Sequence, residues 1–181
     1  MTETSVLDPI RRQLATDHET LRAAVERVPL DWRERRMDPA RWSVAEILEH
    51  LATIEKNMVA LFTGFLAAAP TLESAGLPHE MDAELRAKLL DRTQSIEAPT
   101  FIQPSGSVDS ETALRTLEGY RKELLATIAT ADRKDFAAVS RPHRVFGPLN
   151  GYQWLMTTAG HEARHAAQIA EIADHVTGAP S

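Results

Sequence analysis

The chain has 181 residues, 43% of them hydrophobic and 25% charged, with a net charge of −6 from 20 basic and 26 acidic residues. This is an ordinary globular composition, sized for one domain spanning 1–181, and its acidic balance leaves no basic surplus to neutralise phosphates, which argues against nucleic acid as a partner. Cysteine is absent, so disulfides, thiolate ligands and a cysteine nucleophile are excluded and any metal must be held by nitrogen and oxygen.

Residues 1–12 are polar and lack the apolar core of a signal peptide. The longest uncharged run, Asn57 to Leu72, is shorter than the ~20 residues of a membrane span. A cytoplasmic protein without membrane contact is expected.

Asp8-Pro9 predicts a helix start, with Asp8 as N-cap and Pro9 in the first turn. Ile10, Leu14, His18, Leu21, Val25 and Val28 recur at helical spacing, and Pro29 ends the helix. An arginine-rich polar loop follows from Asp31 to Arg41. Ser43-Val44-Ala45-Glu46 is a capping box that opens a second helix, with Trp42 just before the cap. Its apolar stripe is Ile47, His50, Leu51, Ile54, Met58, Leu61 and Phe65. Residues 70–109 form a long connection, with a short helix predicted from Pro78 to Thr93. A connection of that length lets the helices on either side run parallel. Asp109 or Ser110 opens a third helix with Leu114, Leu117, Leu124 and Ile128 on its stripe. The segment from Asp132 to Leu149 reads as a loop. Asn150 caps a fourth helix, with Gln153 at the capping-box position and Gly178 as C-cap. Trp154, Thr158, His161, His165, Ile169, Ile172 and Val176 form its stripe. No strand pattern and no repeat is evident, so the fold class is all-α, a four-helix bundle.

The chemistry concentrates in three histidines. His161 and His165 are four apart on one helix and point the same way, and His50 lies on the stripe of another helix. Three protein ligands that leave a fourth position for water or substrate are the pattern of a catalytic zinc-type site. Without a metal, three imidazoles on two apolar faces would each need a buried partner. The spacing is not the H-E-x-x-H of zincins, and Glu162 is turned ~100° from His161 around the helix, so it is not assigned as a general base. No catalytic residue is named. Chance also makes i, i+4 histidine pairs, and a histidine on an apolar stripe is commonly a hydrogen-bonded core residue. Of the other histidines, His18 reads as capped or half-exposed, the other reading being a partner of the ligands or a proton carrier at the metal mouth, His143 as a solvated loop residue within reach of the open face, and His79 and His175 as surface residues. Glu46 serves its cap. Glu49, Glu55 and Glu162 flank the ligands and read by default as solvated.

The ordered series Trp42-Ser43-x-x-Glu46-x-x-x-His50, then Ala98-Pro99, Pro104-Ser105-Gly106, Tyr120-Arg121, Pro142-His143 and Gly147-Pro148, and finally Trp154-Leu155 through His161, His165, Gln168 and Ile169, resembles the DinB-like superfamily of bacterial four-helix-bundle proteins. The resemblance runs over nearly the whole chain. It implies that His50, His161 and His165 bind a divalent metal, zinc or nickel, and that the protein pairs as a homodimer. It also implies a small-molecule substrate. Members of that family include transferases and isomerases that use a low-molecular-weight thiol, and proteins described only as metal-dependent hydrolases. The expectation is therefore a thiol S-transferase or a hydrolase. The alternative is a non-catalytic bundle braced by its metal, or a stress-response binding protein.

Overall fold

The computed structural model describes residues 5–73, 82–93 and 97–178. Six α-helices carry the fold: α1 (Asp8–Glu26), α2 (Leu30–Arg33), α3 (Val44–Ala68), α4 (Ala83–Leu90), α5 (Ser110–Ala129) and α6 (Gly151–Thr177). The four long helices make the bundle. Their starts are the ones the sequence signals. Ser43 and Glu46 form the reciprocal capping box of α3, Asp109 caps α5, and Asn150 and Gln153 cap α6. Each cap satisfies backbone N–H groups that have no partner within the helix. Gly178 closes α6 in the left-handed region at φ 68°, which costs glycine no Cβ clash.

Local assignments differ in four places. Asp8 is the first helical residue of α1 and Leu7 its N-cap; the Asp8 side chain accepts from Ser5 N, three residues before it, at 2.9 Å. The arginine-rich loop contains the one-turn helix α2. The short helix in the long connection is α4, capped by Asp82, with Leu85 and Leu89 buried; Pro78, His79 and Met81 lie outside the described residues. The segment read as loop holds an antiparallel hairpin, β1 (Ser140–His143) with β2 (Gly147–Asn150). Pro142 and Pro148 face each other in it, and prolines without N–H donors hide a strand from a propensity reading.

Core packing fixes the directions. One end of the bundle joins Ile10 and Leu14 of α1, Phe62 and Phe65 of α3, Leu124 and Ile128 of α5, and Leu155 and Ala159 of α6. The other joins Leu21 and Val25, Ile47 and Leu51, Ala113 and Leu117, and Ile169 and Ala173. So α1 runs parallel to α6 and α3 runs parallel to α5, while the two pairs are antiparallel to each other. The long connection from α3 to α5 permits that parallel pair, as expected from its length. By length and composition α3 could also cross a membrane. Here its apolar face is spent on the bundle core, and it carries Glu46, Glu49, Glu55 and Lys56.

Between these apolar ends lies a buried ionic layer. Arg121 of α5 bonds both oxygens of Glu55 on α3, at 2.5 and 3.2 Å, and the Leu14 carbonyl of α1 at 3.0 Å. Its Nη2 is also 2.8 Å from Glu162 Oε2 on α6, an ion pair without the alignment of a hydrogen bond. Glu162 Oε1 in turn meets His18 Nδ1 at 3.0 Å. Arg121, Glu55 and Glu162 are 4%, 1% and 1% exposed, so one guanidinium ties all four long helices together at mid-height. A second, partly buried pair docks α4: Arg86 makes a two-pronged bond to Asp17 of α1, both arms at 2.8 Å. Leu89 packs against Gly160, whose missing side chain makes the room.

Candidate metal centre

The three predicted histidines converge. The capping box fixes where α3 begins, and so the height at which His50 enters the core. The heptad-like rows of α6 place His161 and His165 one turn apart, facing α3. One ring nitrogen of each lies within 4.8 Å of the others. His50 Nε2 and His161 Nε2 are 3.0 Å apart, and the ring centroids are 4.7 to 5.2 Å apart.

The outer partners decide which nitrogen each ring offers. His50 Nδ1 lies 2.7 Å from the Ile102 carbonyl, and His165 Nδ1 lies 3.0 Å from Gln168 Oε1. A carbonyl oxygen only accepts, so both Nδ1 atoms carry the proton and both Nε2 lone pairs face the centre. Donation from the far ring nitrogen to a carbonyl is how metal-binding histidines are held and made more basic. The Ile102 carbonyl is itself held in place. Glu49, next to His50, accepts from Ser105 N at 3.0 Å, Ser105 Oγ at 2.7 Å and Gly106 N at 3.2 Å. That clamps the 3-10 turn Thr100–Ile102 against α3. Gly106 turns there at φ 72°, which favours glycine.

Burial keeps the imidazoles neutral. It lowers His50; burial, then neighbouring His165 and His50, hold His161 well below the ordinary histidine range; and burial with His50 brings His165 to about 3. Neutral imidazole is the form that binds metal. At 3.0 Å, His50 Nε2 and His161 Nε2 do not both present bare lone pairs; either the His161 ring proton or a cation lies between them. The donor set, three neutral nitrogens without a carboxylate or thiolate, suits a borderline ion such as zinc or nickel. The residues present therefore fit the divalent ion that the sequence implied.

Trp42 walls the centre, its ring 4.9 Å from that of His50 and 6.4 Å from that of His165. Glu46 remains in its cap and pairs with Arg36 at 2.5 Å. His175 is exposed.

Three comparisons bear on the chain. The sequence model of the DinB superfamily matches residues 13–169. The chain belongs to the DinB superfamily. The Bacillus subtilis protein YuaE, described as uncharacterized, is 31% identical over 136 residues, covering 75% of this chain and 79% of its own. A solved structure, described as TT2238, a four-helix bundle protein, superposes with a TM-score of 0.58 at 21% identity. It covers 91% of this chain and 98% of its own, and it supports the all-α bundle alone.

Within this DinB-superfamily chain, two expectations need correction, that Glu55 and Glu162 are solvated and that His143 is. Glu55 and Glu162 are not solvated; they are the buried carboxylates of the Arg121 layer. His18 is half-exposed, as expected, and its Nδ1 also meets Glu162. His143 is half-buried between Phe146 and Trp154. Sequence reasoning missed the Ile102 carbonyl, which no residue type announces. It could have found the ionic layer. Glu55 follows Leu51 by four, Arg121 follows Leu117 by four, and Glu162 lies midway between Leu155 and Ile169, so opposite charges occupy facing core rows.

Proposed function

We propose that this protein is a metal-dependent enzyme of the DinB type, with His50, His161 and His165 holding one divalent ion, zinc or nickel. The reaction is the transfer of a low-molecular-weight thiol to an electrophile, or a hydrolysis run at the same position. The observation that carries this reading is the donor set: three histidine nitrogens converge, and no fourth protein ligand joins them among the described residues. Such a set is the catalytic rather than the structural pattern. When bound, the ion supplies a +2 charge undiluted by carboxylate ligands and so acidifies a thiol or water brought to it.

The chain's own residues do the rest. Ile102 and Gln168 orient the ligand rings, Trp42 keeps water from one side, and burial keeps the imidazoles from competing for protons. A cytoplasmic location and a homodimer accompany the proposal as further expectations, and sizing by light scattering checks the second.

The test is metal analysis of the purified protein, paired with a screen of thiols against electrophiles. The protein should carry about one divalent ion per chain, and the His50→Ala/His161→Ala/His165→Ala variant should carry none. Equal metal content in both would remove the site. Metal binding with no turnover, and loss of fold on chelation, would favour a bracing role.

A further inference from the structure

We propose that Glu49 is a positioning residue for the metal: by fastening the Ser105–Gly106 turn to α3 it keeps the Ile102 carbonyl on His50, so that metal occupancy and the order of loop 97–107 form one coupled equilibrium. The proposal rests on the metal-site reading above and names what sets that site's affinity.

The loop is gripped at two adjacent residues of α3. His50 is 2% exposed and turns inward, and its Nδ1 donates to the Ile102 carbonyl at 2.7 Å. Glu49 lies ~100° around the helix from it. It is half-exposed and grips the next turn of the loop from outside. Its Oε1 accepts from Ser105 N at 3.0 Å and from Ser105 Oγ at 2.7 Å, and its Oε2 accepts from Gly106 N at 3.2 Å. An ionised carboxylate makes such bonds stronger than a neutral acceptor does. A Cβ on Gly106 would stand 3.3 Å from Glu46 Oε1, so the turn lies close against the start of α3.

Little else holds this segment. None of residues 97–107 is buried. Among the described residues, its hydrogen bonds to other elements go to His50, to Glu49 and, at its edge, to Arg144, which donates to the Glu97 carbonyl at 3.2 Å. Other bonds are internal: Ile102 N donates to the Pro99 carbonyl at 3.0 Å and Gln103 Nε2 to the Ala98 carbonyl at 2.8 Å. A segment with few buried contacts opens at low free energy, so its closed state depends on Glu49 and His50.

One of those two grips is a ligand. A cation on His50 Nε2 draws charge from the ring and makes Nδ1–H a better donor, so an occupied centre tightens the bond to Ile102. Conversely, a closed loop fixes the rotation and tautomer of the ring before the cation arrives, which removes that ordering cost from binding. The two effects are one coupling free energy and are equal. Glu49 acts through the loop: its carboxylate is engaged by Ser105 and Gly106 and is not one of the three converging donors.

The experiment uses the full chain and zinc. Affinity is measured by competition with a chromophoric chelator. Loop order is read from the rate at which chymotrypsin cuts after Phe101, which is 79% exposed, followed by mass spectrometry. Glu49→Ala should bind zinc about tenfold or more weakly. Glu49→Gln keeps one oxygen acceptor and should fall between it and the parent. Ser105→Ala removes one donor from the loop side and should shift affinity in the same direction by less. Zinc should slow the Phe101 cut in the parent, and Glu49→Ala at saturating zinc should lose most of that protection. A carboxylate that only braced the fold would lower the urea midpoint of metal-free and zinc-loaded protein alike, whereas the zinc-loaded protein should lose more. Three results overturn the proposal alone: parental zinc affinity in Glu49→Ala, a Phe101 cut in the parent that is indifferent to zinc, or equal midpoint losses in the two states. A parent that binds no zinc overturns the metal-site reading and this proposal together.

Discussion

Arg121→Met should be among the most damaging single changes in the chain. Arg121 is 4% exposed and is the cation set against Glu55 and Glu162, each 1% exposed. Methionine nearly preserves the volume, so the loss is electrostatic: two buried carboxylates are left facing each other. Removing one partner of a buried ion pair costs about 3–5 kcal/mol. For a chain of this length each kcal/mol lowers Tm by about 2–4 °C, so a fall of roughly 6–20 °C is expected. The cost should depend on pH in a definite direction. Burial already pushes the Glu55 carboxyl above its ordinary value, and loss of the guanidinium pushes it further. A carboxyl whose folded pKa is raised binds more protons folded than unfolded. Stability therefore falls as pH rises from the unfolded value through the folded one, and is recovered on acidification. The assay is urea denaturation of metal-loaded protein at neutral pH and about two units lower. The penalty should shrink at the lower pH, and adding Glu55→Gln to the variant should recover part of it. An Arg121→Met protein within about 0.5 kcal/mol of the parent, or one whose penalty grows on acidification, would refute the clamp.

Two further outcomes follow from the geometry. A Cβ at Gly160 would lie 2.8 Å from Leu89 Cδ1 and 3.0 Å from Leu89 Cβ, so Gly160→Val should cost about 1–3 kcal/mol by overpacking; denaturation should show Leu89→Ala relieving it, and an unperturbed Gly160→Val would mean that α4 does not dock there. The metal-free protein should lose stability as pH falls from 6.5 toward 3, because His165 is lowered to about 3 when folded and the unfolded chain then binds more protons. Zinc should oppose that loss, and chelated and zinc-loaded thermal melts across this range would reveal it; coincident pH profiles would count against the metal.

The sequence by itself determined the four long helices, the capping boxes of α3 and α6 and the three histidines that converge. These are short-range properties. A capping box needs residues three apart, an i, i+4 histidine pair needs one helix, and a stripe needs only its own period. Helix periodicity was less exact about which face is innermost. On α6 the expected stripe ran through Trp154, Thr158 and His161, whereas the most buried row runs through Leu155, Ala159, Glu162, Ala166 and Ala173. The two rows are one residue apart, and hydropathy disfavours a row that contains glutamate. Only the tertiary structure decided that Glu162 belongs inside, because its partners Arg121 and His18 come from α5 and α1, 41 and 144 residues away in sequence. The same holds for the orientation of His50. Its Nε2 faces the centre because a backbone carbonyl 52 residues later accepts from Nδ1, and every residue type carries that carbonyl. A ligand's identity is written in its side chain, but its tautomer and aim depend on groups that meet it only after the chain has folded.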